Sequence, residues 1–274
     1  MNEVKMLFPG GKTHAVTLSY DDGVIYDERL VGMLRESGMK GTFYLNSGGF
    51  APEEGTSNTR MTREQCLRVY DPAVCEIAMH TVHHTQLNAV PGSVAAAEVL
   101  LDRIALEKIF DRPVHGLGYP VSQYPDALFP MFRQLGVFYA RGGDATKEFE
   151  LPDNFMKWMP TCRHASPDLP DVCDAFLAKQ ICYTGPFVFM LMGHSYEFEN
   201  SGNWYVMENF LKKMRGHDFI WYATCLEIYE CRRNFERLEF SADGKRVYNP
   251  SAAEVWVLSG NERIRIPGGG QTIL

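Results

Sequence analysis

Short apolar runs separated by amphipathic stretches recur along the chain, a pattern that predicts strands alternating with helices. Runs at 15–20, 42–46, 75–80, 114–118, 137–142, 187–193 and 219–223 read as strands. Stretches near 25–37, 62–70, 92–110, 125–135, 169–182 and 204–216 read as helices. The helix from Ser93 to Phe110 is the plainest, with Val94, Ala97, Leu101, Ile104 and Ile109 near helical spacing. Gly38, Gly136 and Gly216 stand where a left-handed residue ends a helix. Such alternation predicts an α/β fold with a parallel sheet. Seven strands followed by helices suggest a closed or nearly closed (β/α) barrel, one unit short of the eightfold kind.

From about residue 232 the period shortens to two. Arg237-Leu238-Glu239-Phe240, Glu254-Val255-Trp256-Val257-Leu258 and Arg263-Ile264-Arg265-Ile266 alternate like strands, with turn signals at Asp243-Gly244, Asn249-Pro250 and Pro267-Gly268. The expected organisation is a barrel domain over 1–231 carrying the chemistry and a small C-terminal antiparallel β appendage over 232–274. Three short strands make a poor core alone, so the appendage is expected to dock on the barrel.

The strand ends carry the polar residues. Asp21 and Asp22 follow the first strand, Asn46 the second, His80 the third and Tyr119 the fourth. Asp144, His194 and Thr224 follow the fifth, sixth and seventh. In α/β barrels the chemistry gathers at the carboxyl ends of the strands, so these residues are expected on one rim.

Their types point to metal-assisted hydrolysis. One strand-end Asp with His80 and His84, four residues apart, makes a three-ligand nitrogen-and-oxygen site with an open position. His83 is the rival ligand, and Thr81 is placed to orient one. The second Asp is left as a base beside a cation that lowers the pKa of water. His194, delivered by Val188-Phe189-Met190-Leu191-Met192-Gly193, suits a general acid, because imidazole can hold a proton near neutrality. Taken singly, each of these residues reads more plainly: a turn Asp that caps a helix, or a satisfied strand-end His.

Leu18-Ser19-Tyr20-Asp21-Asp22-Gly23, His80-Thr81-Val82-His83-His84 and Leu191-Met192-Gly193-His194 together resemble three ordered motifs of the polysaccharide deacetylases, carbohydrate esterase family four: T-F-D-D-G, H-[ST]-x-x-H and L-x-H. The resemblance covers roughly residues 13–229. It implies a distorted (β/α)7 barrel with Asp21 as base, Asp22, His80 and His84 as metal ligands, and His194 as acid. The family's R-x-P-[YF] stands here as Gly118-Tyr119-Pro120-Val121, without its arginine, and Thr85 follows the histidine motif in place of proline. Arg163 is the candidate to steady Asp21 from another loop. Asp153 with Trp158 is a loose match to the Asp-Trp motif. Tyr119, Pro120 and Val121 are expected to contact substrate, a backbone N–H among them serving a developing oxyanion. Trp158, with Tyr20, Tyr124, Tyr196 and Trp204, could stack on a sugar face.

The implied reaction removes an acetyl group from an acetylated carbohydrate with a divalent cation, Zn²⁺ first and Co²⁺ or Ni²⁺ also fitting the ligands. The alternatives are a related C–N hydrolase on another amide, ureide or formamide, a silent sugar binder that keeps the metal, and a structural-metal protein. The net charge of −7 and the lack of any Lys/Arg run argue against nucleic acid or an anionic membrane as partner. Seven cysteines form an odd set without C-x-x-C spacing, as expected of reduced thiols. The first ten residues lack an apolar secretory core, and no apolar stretch approaches membrane-span length, so a cytoplasmic address is expected. The oligomeric state is not legible.

Overall fold

The computed structural model describes residues 4–181 and 185–274. Met1 to Glu3, Cys182 and the end of the helix predicted over 169–182 lie outside the described residues.

The barrel is organised about β2 (His14–Asp21), buried along its whole length as expected of a parallel strand covered on both faces. One edge of β2 pairs with β8 (Phe187–Gly193) from His14 to Tyr20. The other edge is shared: β9 (Ile220–Tyr222) takes His14 to Val16, and β3 (Gly41–Leu45) takes Leu18 to Asp21. Beyond β3 the parallel order continues through β4 (Cys75–Met79), β5 (Gly116–Gly118) and β6 (Tyr139–Arg141), and beyond β8 lies β7 (Cys162–Arg163). The two ends of the curled sheet approach each other through one segment, where Trp158 bridges to Arg141 and Cys162–Arg163 pairs with β8. The expected (β/α)7 architecture is present.

Helices α1 (Asp27–Ser37), α2 (Arg63–Val69), α3 (Gly92–Phe110), α4 (Phe129–Gln134), α5 (Leu169–Leu177), α6 (Ser195–Ser201), α7 (Tyr205–Met214) and α8 (Cys225–Glu236) clothe the sheet. Local chemistry sets their ends. Thr62 and Gln65 form a capping box at α2, Thr224 and Glu227 another at α8, and Gly38 closes α1 at φ 69°. The strand β7 and the helices α6 and α8 are not in the sequence reading; β7 is two residues long, and α6 has only two apolar positions in seven.

Two expectations are corrected. The apolar stripe of α3 faces outward: Val94, Leu101 and Ile104 are exposed, while Ala95, Val99, Asp102 and Leu106 face the sheet. The helix is apolar on both sides, so spacing alone could not choose the face, and the polar Asp102 is on the inner one. Thr224 does not reach the rim that carries Asp21 and His80. Because β9 pairs only with His14 to Val16, it ends low in the barrel, where Cys225 N–H donates to Thr42 Oγ1 and Leu226 N–H to Glu76.

The residues beyond the barrel form two three-stranded antiparallel sheets around Leu238, Val247, Val255, Val257 and Ile266. One is β10 (Glu239–Phe240), β11 (Arg246–Tyr248) and β14 (Gln271–Ile273). The other joins β12 (Val255–Ser259) and β13 (Glu262–Ile266) to the N-terminal β1 (Val4–Leu7). The six cysteines among the described residues are free thiols. No helix among those residues is long and apolar enough to cross a membrane.

The face assignment of α3 is testable by stability. Leu106→Ala empties a fully buried position and should cost about 2–4 kcal/mol, whereas Leu101→Ala should stay within about 0.5 kcal/mol. Urea unfolding of both variants checks it, and equal losses would place the stripe inside.

Candidate active site

Two adjacent carboxylates meet at the top of β2. In a continuing strand their side chains would point to opposite faces. Asp22 leaves the strand with φ 82°, which turns its carboxylate back toward that of Asp21. His80 Nε2 is consequently 3.9 Å from Asp21 Oδ2 and 4.0 Å from Asp22 Oδ1. His194 Nε2 is 3.9 Å from an oxygen of each. Thr81 (φ 64°), His84 (φ 56°), Val121 (φ 59°) and Ser122 (φ 61°) also adopt left-handed backbone. Five of the seven such non-glycine residues among those described therefore surround one rim, the kind of strain that accumulates at functional sites.

Asp22, His80 and His84 bring one ligand atom each to within 4.8 Å of one another. His80 Nδ1–H donates to Gly118 O at 2.8 Å, which leaves Nε2 as the free lone pair. Asp22 Oδ1 is buried without a hydrogen-bond partner, a cost that a bound cation would remove. These observations fit a divalent cation with a position left open. His83 points elsewhere: its side chain is 71% exposed and its Nδ1 lies 2.7 Å from Glu98 Oε1. It does not join the cluster.

The match to known proteins follows this geometry. The family model described as polysaccharide deacetylase matches residues 10–140, which contain both the Asp-Asp pair and the histidine cluster. Over that stretch, just under half of the chain, the sequence is similar to the polysaccharide deacetylases. No curated protein matches the chain. Among solved structures it is similar to a protein from Mycobacterium smegmatis assigned as a polysaccharide deacetylase, at 17% identity and TM-score 0.62, over 86% of this chain and 96% of that one. A family 4 carbohydrate esterase from Streptomyces lividans, solved with acetate, matches at 12% identity and TM-score 0.50, over 76% and 91%. A Streptococcus pyogenes deacetylase, also solved with acetate, matches at 18% identity and TM-score 0.46 over 52% of this chain. The chain spans 61% of that protein's length.

The support around the Asp22–His80–His84 cluster is built from several elements. Asp102 on α3 accepts from Ser47 N–H at 2.8 Å and from His80 N–H at 3.0 Å, tying the loops after β3 and β4 to one carboxylate. Burial pushes Asp102 up to about 7, against those two hydrogen bonds. Asn46 Nδ2 donates to His80 O and Thr81 O. Burial alone would raise Asp21, but Arg141, His80 and His194 overcome it and hold the carboxyl below the usual range. Asp21 is therefore ionised near neutrality.

Three predicted residues are elsewhere. Arg163 does not meet Asp21; its Nη2 lies 3.6 Å from Glu197 Oε1, because β7 sits on the far side of β8 from β2. The guanidinium on Asp21 belongs to Arg141, at the end of the fifth predicted strand, where the strand-end rule could have found it. Trp158 is 3% exposed and packs edge-on against Tyr139 and Phe155, so it offers no face to a sugar. Asp153 is exposed and lines a cleft with Arg133, Arg233 and Glu236. Tyr119 and Pro120 are buried, and Val121 is 58% exposed. Tyr20 and Trp204 are buried too, whereas Tyr196, 5.0 Å ring to ring from His194, is partly open. Asp144 is exposed.

The carboxylate serving His194 is Glu197, three residues on in the first turn of α6, with Oε1 3.3 Å from His194 Nδ1. Its Oε2 lies 2.9 Å from His164 Nε2, and Tyr20 OH donates to His164 Nδ1 at 3.1 Å. Burial alone would lower His194, but Glu197, Asp21 and Asp22 outweigh it and raise the imidazole above its ordinary value. Glu197→Gln removes a negative partner, so His194 should lose its proton at lower pH. Histidine ring NMR titration of the metal-free protein checks this, with an unmoved midpoint as the contrary result.

Proposed function

We propose that the protein is a metal-dependent hydrolase that removes an acetyl group, on nitrogen in the first instance, from an acetylated carbohydrate. The observation that carries the reading is one His194 Nε2 standing 3.9 Å from both Asp21 and Asp22, beside the Asp22–His80–His84 cluster. Base, acid and cation ligands thus share a single rim. A binding protein needs no such pairing of base and acid, and a structural zinc site closes its fourth position. The acetate bound in the Streptomyces lividans esterase agrees with an acetyl substrate.

Asp22, His80 and His84 would hold the cation, which when bound supplies Lewis-acid polarisation and lowers the pKa of water. Zn²⁺ suits two imidazoles and one carboxylate; Co²⁺ and Ni²⁺ suit them also. Asp21, kept ionised by Arg141, takes the proton of the attacking water. His194, kept charged by Glu197, gives a proton from Nε2 to the departing nitrogen or oxygen. For the oxyanion we assign the Val121 N–H, since Tyr119 N–H is committed to Arg141 O and Pro120 has none.

Acetate release from a panel of N- and O-acetylated sugars tests the proposal. Asp21→Asn should lower turnover by about 10²–10⁴ while the protein still binds one equivalent of metal. Chelation should abolish turnover, and added Zn²⁺ or Co²⁺ should restore it. Release of formate or ammonia with no acetate from any sugar would shift the assignment to a non-acetyl C–N hydrolase.

A further inference from the structure

The strand β5 is Gly116-Leu117-Gly118, and β6 pairs with it in parallel register, Gly116 beside Tyr139 and Gly118 beside Arg141. Each glycine makes room for its partner's side chain. A Cβ on Gly116 would strike the Tyr139 hydroxyl, which instead reaches Glu76 at 2.5 Å. A Cβ on Gly118 would stand 3.1 Å from Arg141 Nη2, 3.0 Å from His80 Nδ1 and 2.9 Å from Tyr44 Cδ1. Real Cβ contacts are seldom so close, so the Arg141 guanidinium fills the space beside a side chain that position 118 lacks.

Arg141 is fully buried. Its Nη2 donates to Asp21 Oδ1, its Nη1 donates to Gly142 O at 3.0 Å, and its guanidinium lies 4.7 Å over the Tyr44 ring. A buried guanidinium committed to one carboxylate is expensive unless that carboxylate must be held. Position 118 is also where the R-x-P-[YF] pattern would carry its arginine. We propose that Arg141 is the positioning residue of Asp21, and that the guanidinium has exchanged strands: Gly118 is kept bare so that β6 can supply what β5 does not. The inference rests on Asp21 being the base. It makes positions 118 and 141 one functional pair with a single guanidinium between them.

The test combines stability with kinetics, so that each reading can fail separately. Arg141→Gly should lower the Tm by about 5–15 °C by leaving Asp21 buried and unpaired, and adding Asp21→Asn should recover part of that loss. This cycle needs no substrate, so it judges the pairing even if the wild-type protein releases no acetate. In kinetics, Arg141→Gly should cut kcat by about 10²-fold with KM nearly unchanged, the mark of a misplaced group rather than lost binding. Millimolar guanidinium should restore part of kcat in Arg141→Gly and none in Asp21→Asn. The double variant Gly118→Arg/Arg141→Gly should regain about tenfold or more over Arg141→Gly alone, and Arg141→Lys should fall between wild type and Arg141→Gly. If Arg141→Gly does not fold, the Arg141→Lys protein carries both measurements. Additive stability losses, or a folded Arg141 variant with kcat within about twofold of wild type, overturn the proposal. Loss of kcat that neither guanidinium nor Gly118→Arg repairs leaves Arg141 structural and overturns the exchange.

Discussion

The site depends on a conflict of like charges. Asp21 and Asp22 are neighbours in sequence, both largely removed from water, and the backbone turn at Asp22 points both carboxylates to one place. Two ionised carboxylates so close tolerate burial only if each has its own counter-charge. Arg141 provides it for Asp21. For Asp22 the charged neighbour is Arg60, 4.0 Å from its Oδ1 and donating through Nη1 to its carbonyl, with the imidazoles of His80 and His84 alongside. The two residues therefore differ by their surroundings: one is a carboxylate paired with a buried guanidinium, the other keeps an oxygen without a hydrogen-bond partner.

Much of the barrel around them reads as a means of keeping that arrangement still. Asp102 holds the loops after β3 and β4, Gly118 O fixes the His80 ring, and Glu197 fixes the ring of His194. Asp27 extends the frame outward, accepting from Ser195 at 2.5 Å and Tyr70 at 2.6 Å, which ties α1, α2 and the start of α6 together. Burial pushes Asp27 up to about 7 against those bonds. Buried carboxyl groups beside catalytic loops are costly, and here each one joins elements distant in the chain.

A good share of this was legible in the sequence. Parallel strands buried on both faces leave continuous apolar runs, so seven of the barrel strands stood out, as did the residues that end them. The Asp pair stood out by its place at a strand end, and His80 and His84 by their four-residue spacing. The choice of Asp22 over Asp21 as ligand came only from the family resemblance. What stayed hidden has physical reasons. Arg141 stands at a predicted strand end, but its pairing with Asp21 is made across the sheet, and that of Glu197 with His194 across one helical turn, so spacing alone named neither partner. The face of α3 was unreadable because both sides are apolar. Trp158 looked like a sugar platform because an aromatic near a rim can serve the core or the ligand equally, and burial alone decides between them. The two-residue strand β7 is too short to carry a period.

The central claim is that Asp22, His80 and His84 form a three-ligand cation site beside a separate base. Anomalous X-ray diffraction at the zinc edge, on crystals of the wild-type protein grown with one equivalent of Zn²⁺, tests it most directly. The account predicts one peak bonded to Asp22, His80 and His84, with Asp21 on Arg141 and outside bonding distance. A peak elsewhere, or a cation bonded to Asp21 with Asp22 free, would contradict it.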